Sequence, residues 1–244
     1  MKNNSGKDSF YKPEFVRELF DKMSGSYERM NYITSFGFSI RWRKQSVSWF
    51  PSAEEKVKIL DLMCGMGETW SFLRRKFPNA EIDALDFSPE MLKFAEARNK
   101  KKFGNKIRII EVDFLKNTLK SEHYDYVVCA YGLKTFDEEQ IQFLAKETER
   151  VLKTGGKFSF LEVSKPESTL LLHTFGFYLE NIIPVLGKIF LGNPEQYQML
   201  WKYTERFGNV EKVLPIFADH FSLVATMNHF GGCATTILGF KNNN

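Results

Sequence analysis

Apolar positions in the first fifth of the chain recur every three or four residues, with Phe15, Leu19, Met23, Tyr27, Met30 and Ile33 on one helical face. Pro13 suits a first helical turn and Pro51 closes the region, so the spacing predicts a helical segment over 13–49. Beyond Pro51 the period changes. Short apolar runs at Val57–Leu62, Ala80–Leu85, Ile107–Val112, Tyr124–Ala130 and Lys157–Val163 read as strands. Helical stretches lie between them at Thr69–Phe77, Ser88–Lys102 and Glu138–Leu152; the second has Ser88 as N-cap, Pro89 next and Glu90 in its first turn. Gly155-Gly156 should make the turn into the fifth strand. Strands alternating with helices pair in parallel through right-handed crossovers, so the pattern predicts an α/β doubly wound sheet. After Pro166 a Phe- and Leu-rich stretch, Leu170–Leu191, is broken by Gly176, Pro184 and Gly187. Helical regions follow near Glu195–Phe207 and Val210–Ala218. Final strands near Phe221–Met227 and Cys233–Phe240 should complete the sheet as an antiparallel hairpin. Residues 1–12 and 242–244 read as loose ends.

Composition narrows the class. A chain of 244 residues, 43% apolar and 26% charged, can bury a sizeable core and is not disordered. Cys64, Cys129 and Cys233 are too few and too widely spaced for a disulfide framework or zinc cluster, and they read as small buried residues. His123, His173, His220 and His229 show no metal-ligand spacing, so no metal is expected. The polar N-terminus is unlike a signal peptide, and no uninterrupted apolar run is long enough to span a membrane, so the expected location is cytoplasmic. A net charge of +4 does not argue for nucleic acid, but suits peripheral contact with an anionic membrane. The 24 Phe change the picture, because they raise the prospect of an apolar cavity or a surface that meets lipid.

The chemistry concentrates in Ile59-Leu-Asp61-Leu-Met-Cys64-Gly65-Met66-Gly67-Glu68, where a strand runs into Gly-x-Gly at a helix start. Such a turn brings backbone N–H groups close to a ligand at the carboxyl edge of the sheet. A dinucleotide would require a third glycine where Trp70 stands, and no Lys or Arg precedes Arg74 to meet a phosphate. Asp61 and Glu68 would repel pyrophosphate and attract a cation. Asp86, with Phe87 beside it, ends the second strand at the place from which a carboxylate accepts ribose hydroxyls. Asp113 ends the third, where it could accept from an adenine amino group while Phe114 flanks the ring. Each acid alone could be a cap or loop residue. Together they describe a phosphate-free nucleoside with a positive centre and an amino-acid end, which is S-adenosylmethionine.

The segments VRELFDKMSGSYERMNYITSFGFSIRWRKQ (16–45), ILDLMCGMGE (59–68), DFSPEMLKFA (86–95), YDYVVCAYGLKTFDE (124–138), ERVLKTGGKFSFLEVSKP (149–166) and GGCATTILGFK (231–241) resemble the UbiE-type C-methyltransferases of ubiquinone and menaquinone biosynthesis. The Tyr27-x-x-Met30-Asn31 pattern and Leu161–Pro166 are more specific than the glycine loop. The resemblance covers about 14–241. It implies a Rossmann-like class I methyltransferase: a mostly parallel seven-stranded sheet with an antiparallel C-terminal hairpin, an N-terminal helical cap (1–51, part of the same domain) and a methyltransferase domain (52–244) carrying a helical lid insertion at about 167–218. Carried across, the cofactor residues are Gly65, Met66, Asp86, Asp113, Phe114 and Ala130, to which Asp61, Gly67, Phe87 and Tyr131 are added from the strand ends themselves. The implied substrate is a prenylated aromatic, methylated at a ring carbon beside a phenolic hydroxyl. Met66, Glu68, Lys134-Thr135, Ala130 and Ile237 depart from the family's Thr, Asp, Arg-Asn, Ser and His.

Three residues are candidates for the chemistry. Lys134, at the place of the family's Arg, could stabilise a phenolate or could be a surface lysine after the fourth strand. Tyr27 and Asn31 could orient the acceptor oxygen or could pack the N-terminal helices. His173 and His220 are further imidazoles, each more simply read as structural. Leu170–Leu191 could be a lid over a lipid tail, with Tyr178, Leu179, Ile182, Ile183, Val185, Leu186, Ile189 and Phe190 too apolar for an exposed helix, or could be core. Lys188, Lys202 and Lys212 would suit anionic headgroups. Three functions are carried forward: C-methylation of a prenyl quinol, N- or O-methylation of another hydrophobic molecule, and a non-catalytic lipid- or cofactor-binding relative. An oligomer is compatible with all three. The aromatic excess predicts a pocket roofed by the cap (Phe15, Phe20, Phe36, Phe38) and the segment after the sheet (Phe175, Phe177, Phe190, Phe207).

Overall fold

A computed structural model of the chain describes residues 10–166, 168–182, 185 and 194–242. The expectations placed on Ile183, Leu186, Lys188, Ile189, Phe190 and the side chain of Leu179 lie outside the described residues.

Three helices open the chain: α1 (Pro13–Met23), α2 (Tyr27–Thr34) and α3 (Phe38–Ser48). Then β1 (Lys58–Leu62), α4 (Trp70–Lys76), β2 (Glu81–Asp86), α5 (Pro89–Arg98), β3 (Ile107–Glu111), β4 (Tyr124–Ala130), α6 (Glu138–Val151) and β5 (Leu152–Val163) alternate. After them come α7 (Thr169–Phe177), α8 (Pro194–Phe207), α9 (Leu214–Ala218), β6 (Leu223–His229) and β7 (Ala234–Phe240). The seven strands lie in the order β3-β2-β1-β4-β5-β7-β6; the first five are parallel, and β7 runs antiparallel between β5 and β6. The expected architecture is therefore the one observed. The order reverses between β1 and β4, which places the ligand crevice outside their carboxyl ends.

Local signals explain where the helices start. Ser88 caps α5 by accepting from the Met91 N–H at 3.1 Å. Asp137 and Gln140 form a reciprocal capping box on α6. β5 departs from expectation. It begins at Leu152, and Gly155-Gly156 lie within it, at a shift in its register with β4, rather than in a turn before it. A Cβ on Gly156 would stand 2.7 Å from the Lys153 carbonyl oxygen, so the irregular strand admits only glycine.

Both sheet faces are buried, as a parallel sheet requires. One is packed by Phe158, Phe160, Phe217 and Leu144, the other by Trp70, Phe77, Phe50 and Tyr126. Phe158 and Phe217 stack with centroids 5.3 Å apart, and Phe207, expected above the pocket, packs on the first of these cores. Much of the phenylalanine is ordinary core. The three cysteines are buried and free. α1 is tied to the sheet edge by Asp21, whose carboxylate accepts from the Ser88 hydroxyl at 2.6 Å. α3 crosses β5, where the Ser159 hydroxyl donates to the Ser46 carbonyl at 2.9 Å. Among the described residues no helix is long and apolar enough to cross a membrane.

Candidate active site

β1 and β4 both end in strained turns. Met63 (φ 52°) and Tyr131 (φ 71°) hold left-handed conformations that side chains disfavour, and such strain collects at functional sites. The two turns touch, since a Cβ on Gly132 would stand 2.5 Å from the Met63 sulfur. Above them lies a concave, mostly apolar pocket of the kind that holds small ligands. Its lining draws together eight of the residues chosen from sequence: Tyr27, Gly65, Asp86, Phe87, Asp113, Phe114, Ala130 and Tyr131.

Asp86 organises it. One carboxylate oxygen accepts from the Gly65 N–H at 2.8 Å and the other from the Ser88 N–H at 3.0 Å. Phe87 adds a further backbone donor, and the carboxylate keeps acceptor capacity for a ligand hydroxyl. Burial pushes the carboxyl up to about 6, against the pull of these backbone donors. Asp113 uses one oxygen to cap the turn at Phe114–Lys116, accepting from the Leu115 N–H at 3.0 Å. Among the described residues no Lys, Arg or His lines this pocket. Two carboxylates at strand ends, a close backbone approach at Gly65 and no cation suit a nucleoside with a positive centre and exclude a pyrophosphate grip. The residues fit S-adenosylmethionine.

Five chosen residues lie elsewhere. Asp61 is buried beneath the glycine turn and accepts from the Trp70 indole N–H at 2.9 Å; desolvation raises its carboxyl to about 8, opposed by that bond. It is a partner of Trp70 and not of a ligand in this pocket. Trp70 fills the place of a third glycine and packs on Gly67 (φ 76°), where a Cβ would stand 2.5 Å from the ring. Gly67 therefore makes room for the indole. Met66 is buried with Met30, Met91 and Tyr27. Asn31 hydrogen-bonds the Tyr27 hydroxyl from behind the pocket wall. Lys134 does not face the pocket. Its ammonium is buried 2.6 Å from Glu162 and donates to the Tyr131 carbonyl at 2.9 Å. His173 is exposed on α7 and His220 pairs with Glu149 at 2.7 Å, both away from the pocket.

Residues missed in the sequence reading complete the site. Tyr11, Phe136 and Gln140 line the pocket, beside Phe20, which the cap was expected to contribute. Behind it, Arg43 stacks on the Tyr131 ring, guanidinium carbon 4.6 Å from the centroid, and pairs with Glu68 at 3.4 Å. Glu162, fully buried, accepts from Lys134 Nζ, from the Lys134 N–H at 3.1 Å and from the Val163 N–H at 2.8 Å. Desolvation raises the Tyr27 and Tyr131 hydroxyls above their ordinary range, so both stay protonated donors. A lone strand glutamate and an arginine beside Trp42 carry no local signal of such roles.

The chain matches the model of the ubiE/COQ5 methyltransferase family over residues 7–241. It is 31% identical to the demethylmenaquinone methyltransferase of Listeria welshimeri over 233 residues, 94% of this chain and 97% of that one. It is also 31% identical to the protein of that name from Staphylococcus saprophyticus over 238 residues, covering 96% and 99%. Among solved structures, an S-adenosylmethionine-dependent methyltransferase from Thermotoga maritima superposes with a TM-score of 0.63 at 18% identity, covering 92% of this chain and 99% of that one. One from Aquifex aeolicus gives 0.52 at 15%, covering 78% and 85%. Such distant likeness speaks for the fold.

Proposed function

The chain belongs to the ubiE/COQ5 methyltransferase family, and on that premise we propose that it methylates a prenylated quinol of the demethylmenaquinol kind at a ring carbon. The protein is a methyltransferase and its cofactor is S-adenosyl-L-methionine. The observation that carries the acceptor is the extent of the similarity. Relatives named for demethylmenaquinone match 94–96% of the chain, so the cap and the segment after the sheet are matched along with the cofactor half.

When bound, the cofactor supplies an electrophilic methyl group on a sulfonium sulfur. The chain must align the acceptor carbon and raise its electron density. The Tyr27 hydroxyl, steadied by Asn31, is the group we assign to the acceptor's oxygen. Lys134 acts at one remove: paired with Glu162 and holding the Tyr131 carbonyl, it fixes the loop that forms the pocket wall. Phe20, Phe136 and Tyr131 supply an apolar lining for the ring. We assign residues 1–51 as a cap of the same domain and about 167–218 as a lid insertion of the methyltransferase domain, its later part, with Phe207 and Phe217, anchored on the sheet. A labelled-methyl assay over prenyl quinols, simple phenols and phospholipids, read by product mass spectrometry, tests this. We expect a ring-methylated quinol; methyl on oxygen or nitrogen, with quinols untouched, sinks the acceptor and favours the hydrophobic N- or O-methylation reading.

A prenylated acceptor resides in lipid, and one face of the chain supports peripheral membrane contact. The cap, α7 and the β6–β7 turn meet there: the Tyr178 hydroxyl donates to the Thr34 carbonyl at 2.6 Å, and Phe38 packs on Phe230 at 4.7 Å. Around this junction Phe36, Leu170, Phe177 and Phe230 stand 77%, 76%, 61% and 57% exposed. Every charge between Arg29 and Ala53 is basic, and no acid follows Asp219. Lys202 and Lys212 are exposed as well. The pattern suits an anionic bilayer. Co-sedimentation with phosphatidylglycerol vesicles should fall about tenfold for Phe36→Ser, from the apolar area withheld from lipid. Equal sedimentation of wild type and variant counts against this face.

A further inference from the structure

The Arg43–Glu68 pair is unusual in how little it is satisfied. Arg43 is buried, 5% exposed, and a guanidinium has five N–H donors. Among the described residues its one hydrogen bond is from Nη2 to Glu68 Oε1, and it is long, at 3.4 Å, while the buried Nε finds no partner there. The other contact is the face of the Tyr131 ring, which offers the guanidinium no hydrogen-bond acceptor. Glu68 is nearly as buried, its side chain 12% exposed, and among the described residues that long bond is the one it receives. Its second oxygen turns toward the glycine loop, 3.5 Å from where a Cβ on Gly65 would be. Lys134–Glu162 shows the contrast: there the carboxylate takes three donors at 2.6–3.1 Å. A desolvated cation and anion left this bare cost free energy unless something binds them.

The pair adjoins the pocket. Gly65, Tyr27 and Tyr131 all line the pocket, and each neighbours Arg43 or Glu68. Among the described residues no cation lines that pocket, and beyond Gly65 the Arg43 guanidinium offers a ligand carboxylate a counter-charge. A side-by-side cation and anion, both short of partners, match a zwitterion. We infer that the Arg43–Glu68 pair receives the amino-acid end of S-adenosylmethionine, guanidinium to carboxylate and carboxylate to ammonium. The inference rests on the cofactor and is independent of the acceptor. The two charges exchange a weak mutual contact for charge-assisted bonds to the ligand. The pair also borders a second hollow shared with Asn31 and Met66.

Titration calorimetry without acceptor tests this, using S-adenosylhomocysteine, its decarboxylated analogue and methylthioadenosine, which lacks the whole amino-acid end. Wild type should bind the homocysteine compound roughly 30-fold or more tighter than either analogue, the scale of a buried charge-assisted pair. Arg43→Met should remove that advantage while leaving methylthioadenosine affinity unchanged, which also reports that the pocket is intact. Glu68→Gln should lose affinity for the homocysteine compound alone, and Arg43→Lys should recover part of it. Equal wild-type affinity for all three compounds overturns the assignment. So does an Arg43→Met variant that keeps the preference or loses all three ligands in parallel. The acceptor proposal fails separately, in the product assay.

Discussion

Asp86→Ala should weaken S-adenosylhomocysteine binding by at least about 100-fold, near 3 kcal/mol, the scale of two hydrogen bonds to a charged acceptor. The carboxylate is buried and oriented by backbone donors, with Gly65 on one oxygen, Ser88 on the other and Phe87 adding to them, so it is already aimed at a ligand. Alanine removes both the ligand contacts and the group that sets the Gly65 turn. Asp86→Asn separates these, because it keeps an acceptor of similar size but loses the charge; it should bind better than Ala and worse than wild type. Burial has raised the Asp86 carboxyl to about 6. Below that pH the empty site is protonated, and a ligand that needs the carboxylate must displace the proton. Affinity should therefore climb with pH up to about 6 and level off above it, and the climb should vanish in Asp86→Asn. Calorimetry from pH 5 to 8 reads both effects. An Asp86→Ala chain that binds as wild type does would remove Asp86 from the site.

What the sequence disclosed about this pocket was local. A glycine turn, a capping serine and an acid at a strand end act within a few residues, so Gly65, Asp86 and Asp113 could be picked out without a fold. The doubly wound parallel sheet followed from the alternation of strands and helices, since crossover handedness leaves few topologies. The misplaced residues depend on partners supplied by packing. Asp61 looked like a ligand acid because nothing in ILDLMCG says that Trp70, nine positions on, folds back to donate to it. Lys134 looked like a free cation because Glu162 is 28 positions away, on the neighbouring strand. Arg43 shares a helix with exposed Arg41 and Lys44 and reads as one more surface charge until α3 is laid against Tyr131. Met63 and Tyr131 are not glycine, so their left-handed turns leave no trace in the sequence. The aromatic excess was the most ambiguous signal. It divides among two sheet cores, the pocket lining and an exposed rim, and composition cannot apportion those.

Glu162→Ala should be the most destabilising single change near the site, lowering unfolding free energy by about 3–5 kcal/mol and Tm by roughly 10 °C. Glu162 is fully buried and takes three donors: the Lys134 ammonium and the N–H groups of Lys134 and Val163. Removing it leaves an ammonium and two backbone groups without that partner in the interior. The opposite truncation is not equivalent. In Lys134→Met the carboxylate keeps both N–H donors and the methionine fills a similar volume, so the loss should be less than half as large. Lys134→Met/Glu162→Gln should be milder than Glu162→Ala, because glutamine still accepts from the backbone and no charge is stranded. The effect reaches the pocket because Lys134 also holds the Tyr131 carbonyl at 2.9 Å, and Tyr131 sits in a strained turn that relaxes without that bond. Lys134→Met should therefore lose more methyl-transfer rate than stability. Urea unfolding of the variants, compared with single-turnover rates, separates the two roles. Glu162→Ala no worse than Lys134→Met would mean that the pair is not the keystone of the loop.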